Sequence, residues 1–325
     1  MPQGERKGIQ MIKINKLLLC GLIGVCIWIG GCASQETDKE IVTQGQQEQQ
    51  EESVKDSEEA ALQQNEAEKP EELTKPDDSE ENNSDMILPK TLSIMGDSIS
   101  TFGEWIPEGY YDFYPLNGEV ADVNQTWWKM VLDDMDMELC ANASSAGSTC
   151  TGDSTEMDNP QHGCSDFRIA DLMGNNGTYP GIIIVYMGTN DFLNAVPLGS
   201  NDGTQYVEEG EIDNFSDAYA LMLDKLAAYY PGADIFCCNL VPIGDWGTKQ
   251  PFETMVNGQE LTSEDYSEVI ETIAAAKGCH IIDLQNCGIT IDNMQQYVSD
   301  GVHLKPDGMN MIRDAVETAI TGFYK

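Results

Sequence analysis

The stretch "GIIIVYMG", residues 181–188, decides the fold class of this chain. A glycine stands at each end, and the residues between them are apolar without any alternation with polar ones. A strand with one face in water alternates, whereas a strand that is covered on both faces is a continuous apolar run. The stretch therefore predicts a central strand of a parallel sheet that has helices on both faces.

Strand and helix patterns alternate on either side of this stretch. Further strands are predicted over residues 91–96, 137–144, 233–241 and 280–285. Helical spacing or capping residues predict helices over 126–135, 214–230 and 262–278, and a last helix that begins at Pro306 and ends near Phe323. This order predicts a doubly wound α/β sandwich with about five parallel strands, in a single domain over residues 89–325.

The N-terminus has the pattern of an export signal. Lys13 and Lys16 precede an apolar run over 17–29, which is shorter than the roughly 20 residues that a membrane span needs. The run ends in "IGGC", and small residues before a cysteine resemble the lipobox of bacterial lipoproteins. The resemblance implies a signal peptide over 1–31, lipidation of Cys32 and an anchor on the extracellular face of the membrane. An uncleaved anchor and a simple secretory signal are the alternatives.

The net charge of the chain is −39, and residues 32–88 contribute a strongly acidic segment. This segment contains few apolar residues that could offset its ordering entropy, so it is predicted to be a disordered linker. The negative field repels nucleic acid and phospholipid headgroups. It therefore suits a neutral or a cationic substrate.

Ten cysteines occur in the chain. Cys237 and Cys238 lie in an apolar run and are interpreted as buried thiols. Cys150 and Cys164 bracket a polar loop, and they could form a disulfide in an exported protein. Together with His162 they could instead hold zinc, although this spacing matches no standard pattern and lacks a fourth ligand. No metal or other cofactor is expected.

The triplet Gly-Asp-Ser occurs at residues 96–98 and again at 152–154. Ser98 follows a predicted strand, whereas no strand pattern precedes Ser154. Ligands of an open α/β sheet bind beyond the carboxyl ends of its strands, so Ser98 is the candidate nucleophile. Ser100 stands where a G-x-S-x-G elbow has its second glycine, which excludes that motif. The alternative is a turn capped by the aspartate or the serine.

A serine nucleophile needs a base, and the chain has three histidines. His303 lies in "SDGVHLKPDG", residues 299–308, three positions after Asp300. This carboxylate can accept the Nδ1 proton and leave Nε2 as the base. His162 lies in a polar loop, and His280 begins a predicted strand and is interpreted as structural.

Acyl transfer also needs hydrogen-bond donors for an oxyanion. Asn190 follows the strand at 181–188, and its amide can donate to a developing negative charge. Gly147 follows the predicted strand at 137–144, and without a side chain its backbone N–H can approach a ligand closely. The N–H of Ser98 is the third candidate donor.

These residues carry a resemblance to a known family. "GDSIS", the Gly147 region with Asn142, "GTND" and "DGVH" resemble the four ordered blocks of the SGNH hydrolases, also called the GDSL family. The resemblance covers residues 91–325 and implies a flavodoxin-like sheet and ester hydrolysis without a metal. It assigns the family's roles as follows: nucleophile Ser98, oxyanion donors Ser98, Gly147 and Asn190, acid Asp300 and base His303.

The aromatic loop "FGEWIPEGYYDFYP", residues 102–115, directly follows the candidate nucleophile. Trp105, Tyr111 and Tyr114 are its candidate substrate contacts, and ordinary surface packing is the alternative. The segment 192–213, with Tyr206, is a candidate lid. Structural roles are expected for Asp97, Asp191, Arg168 and one of the tryptophans Trp127 and Trp128.

The sequence leads to a surface-anchored serine esterase that acts on small esters, with acetyl groups on a neutral glycan as the expected substrate. An O-acyltransferase acting on a cell-surface polymer is one alternative, since a triad does not distinguish water from a sugar hydroxyl. A non-catalytic glycan-binding lipoprotein is the other. The acyl chain length, the sugar and the oligomeric state stay open.

Overall fold

The computed structural model describes residues 87–245 and 251–325. The signal peptide, the lipidation of Cys32 and nearly all of the acidic linker were predicted for residues outside this part of the chain, and the domain boundaries stay predictions. No helix in the described ranges has the length and apolar character needed to cross a membrane.

Seven strands and seven α-helices are present in the described ranges. The strands are β1 (Thr91–Gly96), β2 (Glu138–Asn142), β3 (Gly152–Asp153), β4 (Ile182–Tyr186), β5 (Glu211–Ile212), β6 (Asp234–Cys238) and β7 (His280–Ile282). The helices are α1 (Trp127–Asp134), α2 (Asp166–Ala170), α3 (Thr189–Leu193), α4 (Phe215–Tyr229), α5 (Ser263–Lys277), α6 (Met294–Tyr297) and α7 (Pro306–Phe323).

Five strands form one parallel sheet in the order β2-β1-β4-β6-β7. Strand β4, which comes from the "GIIIVYMG" stretch, lies at the centre, and all five of its residues are buried. Counting only the strands of this sheet, the order is 2-1-3-4-5, as in flavodoxin-like folds. The predicted three-layer α/β/α sandwich with five parallel strands is therefore confirmed.

The helices form a layer on each face of the sheet. The crossover through α1 moves from β1 to β2, whereas the crossovers through α4 and α5 move in the opposite direction along the sheet. Because such crossovers are right-handed, α1 lies on one face and α4 and α5 on the other. Accordingly, α4 packs against α5, while α7 packs against α1. Trp127 and Trp128 of α1 are both fully buried, so both tryptophans belong to the core.

A small second sheet lies before Ser154, where the sequence showed no strand pattern. Strand β3 pairs antiparallel with β5, through Gly152 with Ile212 and Asp153 with Glu211. A strand thus does precede Ser154, which the pattern did not reveal because two residues are too short to show a period. Ser154 is fully buried, and its hydroxyl accepts a hydrogen bond from the N–H of Gly210 at 2.8 Å.

The segment 192–213 packs along the helical layer, which contradicts the lid hypothesis. A Cβ on Gly203 would meet Ile273 and Ala276 of α5, and Asn201 donates a hydrogen bond to Asp217 of α4. Tyr206 lies in a groove beside the C-terminal half of α4. That half of α4 precedes β6, so Tyr206 lies toward the amino edge of the sheet rather than over Ser98.

The parallel sheet brings three chain segments to one edge. Gly96 at the end of β1 is in register with Tyr186 at the end of β4, and Ile94 is in register with Asn142 at the end of β2. The loops that follow these strands therefore leave the sheet side by side, at its carboxyl edge.

Candidate active site

Ser98 lies in a single 3₁₀ turn directly after β1. The carboxylate of Asp97 caps this turn by accepting the N–H of Ile99 at 3.0 Å. Gly96 is required before the turn, because a Cβ there would lie 2.7 Å from the Cβ of Ser100 and 2.8 Å from the hydroxyl oxygen of Ser144. This close packing fixes the turn, and it leaves Ser98 only 6% exposed at the carboxyl edge.

His303 and Asp300 lie in the loop before α7, and this loop reaches Ser98. The Nε2 atom of His303 is 2.9 Å from Ser98 Oγ, and its Nδ1 atom is 2.8 Å from Asp300 Oδ2. The structure thus brings together all three residues that the sequence proposed as nucleophile, base and acid. The imidazole is only 4% exposed.

The Asp300 carboxylate is held on both oxygens. Oδ1 accepts the N–H groups of Val302 and His303 at 3.0 and 2.8 Å, and Oδ2 accepts from the His303 ring. Burial alone would raise the pKa of Asp300, but these hydrogen bonds and the charge of His303 lower the pKa below its ordinary value. An ionised carboxylate can only accept, so Nδ1 carries the ring proton and Nε2 accepts from Ser98.

The turn that carries Gly147 is attached to two of the neighbouring segments. The N–H of Ser145 donates to the carbonyl of Gly96 at 3.1 Å, and the Asn190 amide donates to the carbonyl of Ser148 at 3.0 Å. Gly147 itself has a φ of +80°, a backbone conformation that favours glycine. Gly147 and Asn190 are therefore both placed at the edge where Ser98 lies.

Three donors at this edge are left without an acceptor. Among residues 87–245 and 251–325, the backbone N–H groups of Ser98 and Gly147 donate to no protein atom, and the Asn190 amide uses one of its two protons. Such unpaired donors are what an oxyanion needs.

Asp191 fixes the loop that follows Gly147. This fully buried carboxylate accepts the N–H of Cys150 at 2.7 Å and both the N–H and the hydroxyl of Thr151 at 3.2 and 3.0 Å. Burial raises the pKa of Asp191, although these hydrogen bonds oppose the shift. The residue has the structural role that the sequence predicted.

Arg168 fixes the end of β1 from the opposite side. Its guanidinium is fully buried and donates to the carbonyl of Gly96 at 2.9 Å and to the carbonyl of Pro160. It also lies over the ring of Tyr110, 5.7 Å from the centroid. The buried Arg168 guanidinium therefore fixes the carboxyl end of β1, from which the turn with Ser98 begins.

The aromatic loop divides into exposed and buried residues. Trp105 and Tyr111 are 42% and 59% exposed and stay candidates for substrate contact. Tyr114 is fully buried, and its hydroxyl donates to the carbonyl of Leu304 at 2.9 Å, so its predicted contact with substrate is wrong. Phe113, which the sequence did not single out, stacks its ring on His303 with 3.5 Å between the centroids. Its place in an aromatic loop was the only signal.

Cys150 and Cys164 are both buried free thiols, so the disulfide that the sequence left open is not formed. His162 directs Nδ1 to the carbonyl of Thr151 at 3.0 Å and Nε2 to Glu156 at 3.3 Å. In the described part of the chain, no group of three or more His, Cys, Asp or Glu side chains could hold a metal ion. Cys150, His162 and Cys164 therefore do not form a zinc site in the described residues.

Residues 90–245 match the family described as GDSL-like Lipase/Acylhydrolase. These residues belong to that family. The match to the GDSL-like family contains Ser98, Gly147 and Asn190, whereas Asp300 and His303 follow it in the chain. The contact of His303 with Ser98 is therefore an observation from the structure and not from the family match.

Solved structures similar to this chain include other GDSL-like proteins. A candidate GDSL-like lipase from Bacteroides ovatus is 23% identical with a TM-score of 0.51, covering 72% of this chain and 99% of its own. Another from Bacteroides uniformis is 24% identical with a TM-score of 0.52, covering 72% and 96%. A protein from Lactobacillus plantarum is 19% identical with a TM-score of 0.54, covering 73% and 98%. These similarities show the fold. No match was found among curated proteins.

Proposed function

We propose that this protein is a serine esterase that hydrolyses small acyl esters through an acyl-enzyme on Ser98. The observation that carries the proposal is the continuous hydrogen-bonded series from Ser98 Oγ through both nitrogens of His303 to Asp300, at 2.9 and 2.8 Å. Membership of residues 90–245 in a family of lipases and acylhydrolases, which act on esters, supports the same chemistry.

The first half-reaction forms the acyl-enzyme. Ser98 Oγ attacks the carbonyl carbon of the ester while its proton passes to Nε2 of His303. Asp300 stays ionised and stabilises the imidazolium through Nδ1. The tetrahedral intermediate then breaks its bond to the alcohol oxygen, which leaves as the alcohol after taking the proton from Nε2.

The second half-reaction repeats these steps with water. His303 takes a proton from the water as it attacks the acyl carbon, and the proton then passes to Ser98 Oγ as the acid leaves. In both halves, the negative charge develops on the former carbonyl oxygen. The unpaired donors of Ser98, Gly147 and Asn190 are the groups proposed to stabilise that charge.

The proposed substrate is an acetyl group on a neutral glycan. Ser98 and His303 are 6% and 4% exposed, which favours a small acyl group over a large one. The exposed rings of Trp105 and Tyr111 belong to the loop that follows Ser98, and they offer flat apolar surfaces on which a sugar can pack. The net charge of −39 disfavours polyanionic substrates.

We further propose that the enzyme acts at the extracellular face of a bacterial membrane, anchored through lipidated Cys32. The support is the order of basic residues, apolar run and "IGGC" in the sequence. Labelling of cells with a radioactive fatty acid should mark the wild type and not Cys32→Ser. Equal labelling of both would contradict the anchor.

The two Gly-Asp-Ser triplets provide a matched test of the esterase. Ser98→Ala should lower the turnover of p-nitrophenyl acetate by about 10⁴-fold or more and abolish labelling by a fluorophosphonate. Ser154→Ala should retain both, because Ser154 bonds to Gly210 rather than to a histidine. Unchanged turnover in Ser98→Ala, or a wild type that the reagent does not label, would overturn the proposal.

The same assay separates hydrolysis from acyl transfer. With an acetylated glycan as donor, an esterase releases acetate at the same rate whether or not a second, unacetylated glycan is added. An O-acyltransferase instead moves the acetyl group to the added glycan. Product analysis by mass spectrometry distinguishes the two outcomes.

A further inference from the structure

One segment of the chain, residues 101–115, contacts both the nucleophile turn and the base. We call it the bridging segment. At its start, the hydroxyl of Thr101 donates to the carbonyl of Ser98 at 3.0 Å and accepts the N–H of Phe113 at 2.9 Å. The backbone of Phe113 is therefore connected to Ser98 through a single hydroxyl.

The other end of the bridging segment lies on the base. The ring of Phe113 is stacked on the imidazole of His303, with 3.5 Å between the centroids and 8° between the planes. The adjacent Tyr114 is fully buried, and its hydroxyl donates to the carbonyl of Leu304 at 2.9 Å. Phe113 thus covers the imidazole ring while Tyr114 holds the backbone that follows it.

The middle of the bridging segment is bonded to the turn that carries Gly147. The carbonyl of Tyr111 accepts the N–H of Ala146 at 2.7 Å, and the N–H of Tyr111 donates to the hydroxyl of Ser145 at 3.3 Å. The segment therefore contacts three of the elements that the proposed reaction uses, although it contributes no reacting atom.

We propose that Phe113 is a positioning residue that holds the imidazole plane of His303 in line with Ser98; this inference rests on the proposed function. The imidazole can change its plane only by rotation about its Cα–Cβ and Cβ–Cγ bonds, and rotation about Cβ–Cγ moves Nε2 away from Ser98 Oγ. A flat ring at stacking distance blocks that rotation. The hydroxyl of Thr101 connects the backbone of Phe113 to the Ser98 turn by two hydrogen bonds. The distance between Ser98 Oγ and His303 Nε2 is therefore maintained.

The stack also acts on the charged form of the base. The face of an aromatic ring attracts a cation, and the imidazolium forms only after Ser98 gives up its proton. Asp300 bonds to the same ring, and the charge of His303 also interacts with that of Asp97, so the positive form of His303 is stabilised by carboxyl groups as well as by the face of Phe113. Loss of the aromatic face should therefore slow the chemical step and not substrate binding.

The test compares the stacked pair of Phe113 and His303 with the tilted pair of Phe323 and His280 in the same protein. Phe113→Leu keeps an apolar side chain but removes the flat ring, and it should lower kcat for p-nitrophenyl acetate by about 10-fold to 100-fold with KM little changed. Phe113→Tyr retains the ring face and should restore most of kcat. Phe323→Leu is the control, because Phe323 lies against His280 with 3.9 Å between centroids, and kcat should stay that of the wild type. Unchanged kcat in Phe113→Leu, or an equal loss in Phe323→Leu, would overturn the proposal.

If Phe113→Leu does not fold, a second pair of variants tests the same proposal. Thr101→Val removes the hydroxyl between Ser98 and Phe113 but leaves the ring in place, and it should also lower kcat more than it changes KM. Thr101→Ser keeps the hydroxyl and should behave as the wild type. A normal kcat in Thr101→Val would show that the connection to Ser98 has no catalytic consequence, which contradicts the proposal.

A readout without activity separates this inference from the proposed function. The chain has three histidines, so the ring C–H resonances of His303 can be assigned by comparison with His303→Gln. A stacked phenyl ring moves these resonances upfield, and Phe113→Leu should move them downfield, whereas Phe323→Leu should not. If this shift occurs but the wild type has no esterase activity, the stack of Phe113 on His303 is supported and the proposed function is contradicted. If no shift occurs, the positioning role of Phe113 is overturned.

Discussion

The imidazole Nε2 of His303 lies 2.9 Å from Ser98 Oγ, although 205 residues separate the two in the chain. Ser98 is placed by the end of β1, and His303 by the loop that opens α7. Helix α7 packs against α1, which is the first α-helix after β1 in the chain. The contact therefore depends on a helix–helix interface as well as on the order of the strands.

Asp300→Asn should lower kcat for p-nitrophenyl acetate by about 10³-fold to 10⁴-fold. An asparagine can present its NH₂ group to Nδ1, which would then have to accept, and Nε2 would carry the proton and lose its function as base. Asp307→Asn is the control, because Asp307 is an exposed carboxylate seven residues further along. Similar rates for Asp300→Asn and the wild type would show that Asp300 does not orient the base.

Asn190→Ala should lower kcat by about 10²-fold to 10³-fold, since one proposed oxyanion donor is removed and the charge on the transition state loses a hydrogen bond. The substitution also removes the bond to the carbonyl of Ser148, so the free energy of unfolding is measured alongside. Asn194→Ala, at the exposed end of the same helix α3, should leave kcat unchanged. A drop in stability with normal kcat would assign Asn190 a structural role only.

Arg168→Met should lower the free energy of unfolding by about 2–4 kcal/mol, because the buried carbonyls of Gly96 and Pro160 each lose a charged donor. Urea denaturation measures the change. Arg313→Met removes an arginine of similar size whose ion pairs are at the surface, and it should cost about 0–1 kcal/mol. Equal effects of the two substitutions would contradict the structural role of Arg168.

The aspartates of the two Gly-Asp-Ser triplets, Asp97 and Asp153, should contribute to the pH dependence of the free energy of unfolding with opposite signs. Burial raises the pKa of Asp97 above its ordinary value of 3.8, so the folded state binds this proton more tightly than the unfolded state. The contribution of Asp97 to stability is therefore present below pH 3.8 and is lost as the pH rises through its folded pKa. Asp97→Asn lacks this loss, so it should gain stability relative to the wild type as the pH rises.

Asp153 provides the opposite case. Hydrogen bonds from the backbone and the side chain of Thr155 lower the pKa of the Asp153 carboxyl. Its contribution to stability is present above its ordinary pKa and is lost as the pH falls, so Asp153→Asn should lose stability relative to the wild type as the pH rises. Urea denaturation at a series of pH values tests both variants, and differences from the wild type with the same sign would contradict this assignment.

The sequence patterns were most reliable where the signal is local. Strand β1 was predicted over 91–96 and lies there, and the last helix begins at Pro306 and ends at Phe323 as predicted. Both rest on neighbouring residues alone: an apolar run ended by a glycine, and a proline in the first turn of a helix. The predicted strand at 280–285 is shorter, since it ends at Ile282 and the Asn239 side chain then accepts the N–H groups of Leu284 and Gln285.

For the candidate site, residue types and order were sufficient to select Ser98, Asp300 and His303. They were insufficient for the surroundings of these residues. Tyr114 was expected at the substrate and lies in the core, and Phe113 received no role although its ring covers His303. The two residues are adjacent and both aromatic, so the sequence contains nothing that tells which of them contacts the base.

The sequence by itself determined the α/β class with its parallel strands, the resemblance to the GDSL family and the candidate residues Ser98, Asp300 and His303, because runs, caps and short motifs are properties of neighbouring residues. The tertiary structure alone decided that His303 reaches Ser98, that Arg168 holds the carbonyl of Gly96, and that Phe113 covers the imidazole. These contacts join segments that are distant in the chain. They form only when the packing of the helices on the sheet places those segments together, and no local pattern encodes that placement.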